Sequence, residues 1–108
     1  MVLAQHVLSE EISVALHEAV AVRLRQKPEL VEAAQRRVAA WLRENSVSRW
    51  YAERWRELLA RDPQEIAEAI VRRDEETSAL RQVSPFAGVV DPRTRWRLRR
   101  EVRARLGR

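Results

Sequence analysis

Apolar residues recur at intervals of three and four positions along most of this chain, which is the spacing of one face of an α-helix. No segment alternates apolar and polar residues in the way that a half-buried strand does. The spacing predicts helices over residues 9–26, 29–44, 48–61, 63–82 (as one helix or as two) and 92–106. We therefore expect an all-α fold of about five or six helices, which suits a single small domain of 108 residues.

Capping signals place several of the predicted helix boundaries. The sequence Asp62-Pro63-Gln64-Glu65 combines a capping aspartate, a proline at the first helical position and an acid three residues after the cap. Asp91-Pro92 repeats the first two of these features, and the acids at 74–76 suit the positive end of a helix that restarts there. Ser9 is positioned to cap the first helix, and Pro28 interrupts that helix at its other end.

The segment 83–90 has the sequence Val-Ser-Pro-Phe-Ala-Gly-Val-Val and is predicted to be an ordered loop. An apolar loop of this length needs cover from the rest of the protein, so Phe86 is expected to anchor it. The interpretation is a helical body over residues 1–83, with residues 84–108 adding the loop and a basic C-terminal helix to the same domain.

The net charge is concentrated in the C-terminal helix. Residues 91–108 contain eight arginines and two acids, a net charge of +6, whereas residues 1–90 have a net charge of −1. A block of one sign on an otherwise balanced chain is typical of a surface that contacts an acidic protein or nucleic acid. The 20 arginines and single lysine by themselves indicate only a compositional bias, so the uneven distribution is the informative feature.

The composition also excludes several classes of protein. There is no cysteine, which removes disulfides and thiolate metal sites. No segment has the roughly 20 consecutive apolar residues that span a bilayer, so we expect a cytoplasmic protein with no membrane contact.

Candidate catalytic groups are few. No glycine precedes Gly88, so glycine-rich nucleotide-binding motifs are absent. His6, Glu10 and His17 would share a helical face if the first helix began early, which is a conceivable metal trio, but two exposed histidines are the simpler interpretation. The carboxylates are expected to lie in solvent. We therefore expect no enzymatic activity, no catalytic residues, no metal and no cofactor.

The four tryptophans fall into two groups. Trp41 and Trp55 lie in apolar stripes and are predicted to be in the core. Trp50 is next to Tyr51, and because adjacent helical residues point about 100° apart, it is predicted at the boundary or surface. Trp96 is about 200° from Leu98, so it is either exposed among arginines, as an interface anchor, or packed on the preceding loop.

A resemblance is carried by residues 80–89, Leu-Arg-Gln-Val-Ser-Pro-Phe-Ala-Gly-Val, followed by Pro92-Arg93 and Arg95-Trp96. This region resembles the C-terminal part of small bacterial antitoxins and antitoxin-like regulators of type II toxin-antitoxin modules. Residues 55–59, Trp-Arg-Glu-Leu-Leu, are similar to a segment that accompanies it. The similarity covers the C-terminal half of the chain.

The resemblance implies a non-enzymatic protein that grips or blocks a cognate toxin with its C-terminal loop and helix. The implied contacts are Phe86, Arg93, Arg95 and Trp96, supported by Arg81 and Gln82. The basic helix would add Arg99, Arg100 and Arg103, whose guanidinium groups suit carboxylates or phosphates. Many antitoxins also bind DNA, but residues 1–80 contain no clear helix-turn-helix, and the first helices have no basic face.

The alternative is a nucleic-acid-binding regulator that uses the last helix. Its arginines would neutralise several phosphates, and binding would weaken steeply with salt. The arginines are, however, distributed around the helix, and with Leu98, Val102 and Leu106 buried only part of the set would reach a duplex at once.

Overall fold

The computed structural model describes the backbone of residues 2–107 and the side chains of residues 5–107. This part of the chain forms six helices and contains no strand, which confirms the all-α prediction. The helices are α1 (Val2–Gln26), α2 (Leu30–Glu44), α3 (Arg49–Leu59), α4 (Pro63–Ala69), α5 (Glu75–Arg81) and α6 (Pro92–Leu106).

The first helix is longer than predicted. It begins at Val2, so Ser9 lies within the helix and is not its cap. The sequence has no glycine or proline before Pro28, and nothing therefore stops the helical backbone from extending towards the N-terminus. At the end of α2, Asn45 adopts the left-handed conformation (φ 53°) that asparagine tolerates at a helix C-cap.

Three aspartates cap helices, and the sequence predicts this role for Asp62 and Asp91. A carboxylate oxygen of Asp62 accepts a hydrogen bond from the backbone N–H of Glu65 at 3.0 Å. Asp74 and Asp91 accept equivalent bonds from the N–H groups three residues later, at 3.1 and 2.9 Å. The chain therefore restarts a helix at Asp74 instead of continuing α4, because the aspartate satisfies an N–H that a continuous helix would bond internally.

The core lies where α1, α2, α3 and α4 meet, and α5 and the loop after it close one side. Trp55 is fully buried at its centre, and its indole N–H donates to the backbone oxygen of Leu80 at 3.2 Å. Trp41 is partly buried against the same cluster. The prediction that these two tryptophans belong to the core is confirmed.

The last helix, α6, packs on α1 along a narrow apolar stripe. Val102 is buried and Leu98 is partly buried, but Leu106 is 39% exposed, so the prediction of a third buried residue in this stripe is wrong. Leu106 is in the final turn of α6, where the helix has little neighbouring surface to cover it. No helix within residues 2–107 is both long enough and apolar enough to cross a membrane.

Candidate functional site

The loop of residues 82–91 joins α5 to α6 and is fixed by contacts to three other helices. Phe86 inserts between His17 of α1 and Trp55 of α3, with its ring edge-to-face to both at centroid distances of 6.2 and 5.5 Å. Arg37 of α2 donates from Nη1 to the backbone oxygens of Pro85 and Ala87 at 3.0 and 3.3 Å. These contacts hold the start of α6 in a defined position.

The direction of the loop also depends on Gly88. Its φ of +85° lies in the region that residues with a Cβ rarely adopt. A Cβ at this position would meet no other atom within 4 Å, so the backbone conformation, and not the available space, requires glycine.

His17 is buried, with 5% of its surface exposed, which contradicts the expectation that both histidines are exposed. Its Nδ1 is 2.8 Å from the backbone oxygen of Ser13, so Nδ1 carries the proton and donates it. Nε2 is then free to accept from the hydroxyl of Ser84 at 2.9 Å. Burial lowers the pKa of His17, which keeps the ring neutral. His6 is exposed as predicted.

Arg81 is not at the surface, although it was predicted as a polar contact to a partner. Its side chain is fully buried and donates from Nη1 to the backbone oxygens of Ile70 and Arg72. Its Nη2 forms an ion pair with Glu10 of α1. The carbonyl groups left free where α4 ends attract the guanidinium inward, and sequence periodicity does not reveal that long-range contact.

Phe86 was also predicted as a partner contact, yet only 5% of its surface is exposed. It serves as the expected anchor of the loop. Neither Phe86 nor Arg81 can therefore touch a partner directly in this conformation. Gln82, the remaining supporting residue, is exposed next to them.

Sequence reasoning missed the structural role of Arg37 and of His17, which together fix the loop. No motif surrounds either residue, and their partners Pro85 and Ser84 are 48 and 67 positions away in the chain. The only available signal was the apolar loop itself, which had to be covered by something.

Trp96 is 62% exposed, more than any other large hydrophobic residue in the described chain. The guanidinium of Arg100 lies over its ring, 5.0 Å from the centroid. Trp96 does not pack on Phe86, because that ring points into the core. Trp50 is also exposed, at 40%, and has Arg54 over its ring at 5.1 Å. Both placements agree with the geometry predicted from helical spacing.

Five arginines on α6 have no carboxylate oxygen within 4 Å among the residues that the structure describes. They are Arg93, Arg95, Arg99, Arg100 and Arg103. With Trp96, these side chains form what we call the α6 basic surface. Arg97 and Arg105 are outside it, because they face Glu101 and Glu11 at 3.7 Å. Most of the positive charge on α6 is thus uncompensated within the fold.

The opposite edge of α6 is tied to α1 by charge. Glu11 of α1 accepts from Arg73 and also faces Arg105. The hydrogen bond from Arg73 lowers the pKa of Glu11, which favours its charged form at neutral pH. This ion cluster and the apolar stripe hold α6 against α1, and they leave the arginines of the α6 basic surface exposed.

A cleft of about 550 Å³ is lined by α1, α6 and the loop between α5 and α6, and we call it the α1/α6 cleft. Leu8, Ile12 and Leu16 lie in its wall on α1, and three of the arginines, Arg95, Arg99 and Arg103, lie in its wall on α6. Ser84 and Phe86 of the loop also line it. The same three arginines border a second hollow of about 390 Å³ around Trp96. The cleft and the exposed tryptophan therefore belong to one continuous surface.

Within residues 5–107 no three histidine or carboxylate side chains come together as metal ligands. Glu10, one member of the conceivable metal trio, is engaged by Arg81 and by the hydroxyl of Ser78 at 2.6 Å.

No protein-family model, no curated protein and no solved structure matches the chain.

Proposed function

We propose that this protein is a non-enzymatic antitoxin that neutralises a cognate toxin by binding it through the α6 basic surface. The observation that carries the proposal is the exposure of Trp96 among arginines that have no acidic partner in the described part of the chain. An exposed tryptophan beside arginine is the composition of an interface hot spot, where a few such residues supply most of the binding energy.

The partner would be acidic at its contact site. Guanidinium groups bind carboxylates with charge-assisted, often paired hydrogen bonds, and five uncompensated arginines favour a surface of opposite sign. Trp96 would be the central apolar anchor, with Arg93 and Arg100 beside it. Arg81 and Phe86 act indirectly in this proposal, because they position the loop from which α6 begins.

The test is a pull-down of the tagged protein from its native cell at two salt concentrations, with and without nuclease. We expect a stoichiometric protein that survives nuclease and moderate salt, and whose toxicity the full chain suppresses. Nucleic acid that is released by salt, with no protein partner, would instead support the alternative of a nucleic-acid-binding regulator.

Two variants test the assignment of the surface. Trp96→Ala, or Arg93→Glu combined with Arg95→Glu, should abolish neutralisation while circular dichroism stays helical. Trp50→Ala is the matched control, since Trp50 is also exposed and also lies under an arginine, yet it is on α3. Equal loss of neutralisation in Trp50→Ala would contradict the assignment to α6.

A further inference from the structure

We propose that the α1/α6 cleft receives an acidic amphipathic helix of the partner protein. This inference rests on the proposed function and adds the kind of segment that the protein recognises. The two walls of the cleft carry the inference: one has apolar residues and the other has arginines, and in both walls these residues are four positions apart.

The apolar wall is a row of three residues on α1. Leu8, Ile12 and Leu16 are four positions apart, are only partly buried, and line the cleft. With a rise of 1.5 Å per helical residue, the row is about 12 Å long. Burying its exposed remainder against another apolar surface would favour association, at about 25 cal/mol per Å².

The charged wall is a row of three arginines on α6. Arg95, Arg99 and Arg103 are also four positions apart, so this row has the same length of about 12 Å. All three are exposed, and none has a carboxylate oxygen within 4 Å among the described residues. An occupant of the cleft therefore meets the apolar row of α1, with Ser9 and Ser13 beside it, on one side. On the other side it meets three guanidinium groups that have no acidic partner in the described chain.

A helix fits these two walls better than an extended peptide does. Both walls are helices whose backbone groups are already bonded internally, so they offer no row of free N–H and C=O groups to a strand. A helix satisfies its own backbone. It can present an apolar stripe to α1 and carboxylates at four-residue spacing to α6.

A macromolecular occupant is favoured by the continuity of the surface. Arg95, Arg99 and Arg103 also border the hollow around Trp96, so one partner can fill the cleft and cover the tryptophan at the same time. A small anionic molecule in the cleft would leave Trp96 in solvent.

The experiment uses site-specific photo-crosslinking in the purified complex of the full chain with its co-purified partner. The chain has no cysteine, so a single introduced thiol can carry a benzophenone maleimide. Ser9→Cys places the probe in the cleft at an exposed position, and Ser46→Cys places it on an exposed turn after α2 as the matched control. Mass spectrometry then identifies the partner peptide attached to each probe.

We expect the probe at residue 9, and not the probe at residue 46, to attach to one partner segment in which aspartate or glutamate recurs at helical spacing. Attachment to a segment without that acidic pattern overturns the inference, as does attachment only from residue 46. In both cases the partner is still bound, so the proposed function survives. Attachment to a second copy of this chain also overturns the inference. A pull-down without any protein partner overturns both proposals.

A charge-reversal experiment provides the second readout. Arg95→Glu with Arg99→Glu and Arg103→Glu should weaken binding of a synthetic peptide of the crosslinked segment at least tenfold. Replacement of the peptide's acids by lysine should restore binding to this variant. The control makes the same change of charge at Arg36, Arg56 and Arg61, which are exposed and outside the cleft. Equal weakening in the control would mean that net charge alone acts, and would overturn the inference.

Discussion

The loop of residues 82–91, together with Arg81 just before it, is adjacent to the α6 basic surface. The sequence predicts one contact region for both. In the structure, however, side chains of the first region are buried and those of the second are exposed. Arg81 directs its Nη atoms to carbonyl oxygens and to Glu10 in the interior. Arg99 faces solvent with no carboxylate near it in the described chain. The same contrast separates Phe86, which is buried, from Trp96, which is exposed.

The difference teaches that residue type does not determine role in this region. A guanidinium is stable in the interior only where several acceptors converge on it, because an unpaired buried charge is very costly. The carbonyls at the end of α4 and the carboxylate of Glu10 supply those acceptors for Arg81. Within residues 5–107 no such group faces Arg99, so that side chain stays in water, where it is available to a partner.

The largest effect is expected for the aromatic pair. Phe86→Ala should lower the free energy of unfolding by about 3–5 kcal/mol, because it leaves a cavity between His17 and Trp55. Trp96→Ala should change it by less than about 0.5 kcal/mol, as is usual for an exposed site. Urea unfolding followed by circular dichroism measures both values, and similar losses would remove the distinction between the two regions.

The arginine pair should give a smaller but still clear difference. Arg81→Met removes the buried guanidinium that pairs with the partly buried Glu10 and leaves two backbone oxygens without their donor, which should cost about 3 kcal/mol. Arg99→Met should be neutral to within about 0.5 kcal/mol. The thermal unfolding midpoints of the two variants measure this difference. Both variants lose one positive charge, so a difference between them reflects the position of the arginine and not the change in net charge. A stable Arg81→Met variant would show that the ion pair contributes little.

The smallest effect is a pH dependence that comes from His17. Burial lowers the pKa of His17 in the folded protein. Once the pH falls below about 6.5, this histidine is therefore protonated in the unfolded chain but still neutral in the folded one. Stability should therefore decrease as the pH falls from 7 to 5.5, by less than about 1.4 kcal/mol per pH unit. His17→Gln should flatten this slope, while His6→Gln, at an exposed position, should retain it. Urea midpoints at several pH values provide the measurement.

Much of the fold was predictable because its signals are local. The capping contacts of Asp62 and Asp91 depend on residues within four positions, and both are observed. The restart at Asp74 is one of the two alternatives that the sequence leaves open, and the structure shows it. The sequence predicts the start of α1 at Ser9, which is wrong because the helix begins at Val2 and does not need a capping side chain at residue 9. Helical periodicity alone also predicts the burial of Trp55.

The candidate site was less predictable because its contacts join distant parts of the chain. Arg81 meets Glu10 across 71 positions, and Ser84 meets His17 across 67. The exposure of Trp96 was left open between two alternatives, and the inward turn of Phe86 decides between them. The cleft itself exists only because α6 packs on α1, and neither helix indicates it alone.

The sequence by itself determined that this protein is all-α, where α4 and α6 begin, and that its last helix is strongly basic. These properties follow from backbone hydrogen bonding, side-chain periodicity and charge over short stretches of chain. The tertiary structure alone decided which arginines are buried and which face solvent, because that choice depends on acceptors that folding brings from remote positions. The same packing that withdraws Arg81 and Phe86 into the interior leaves Trp96 and five arginines on the surface.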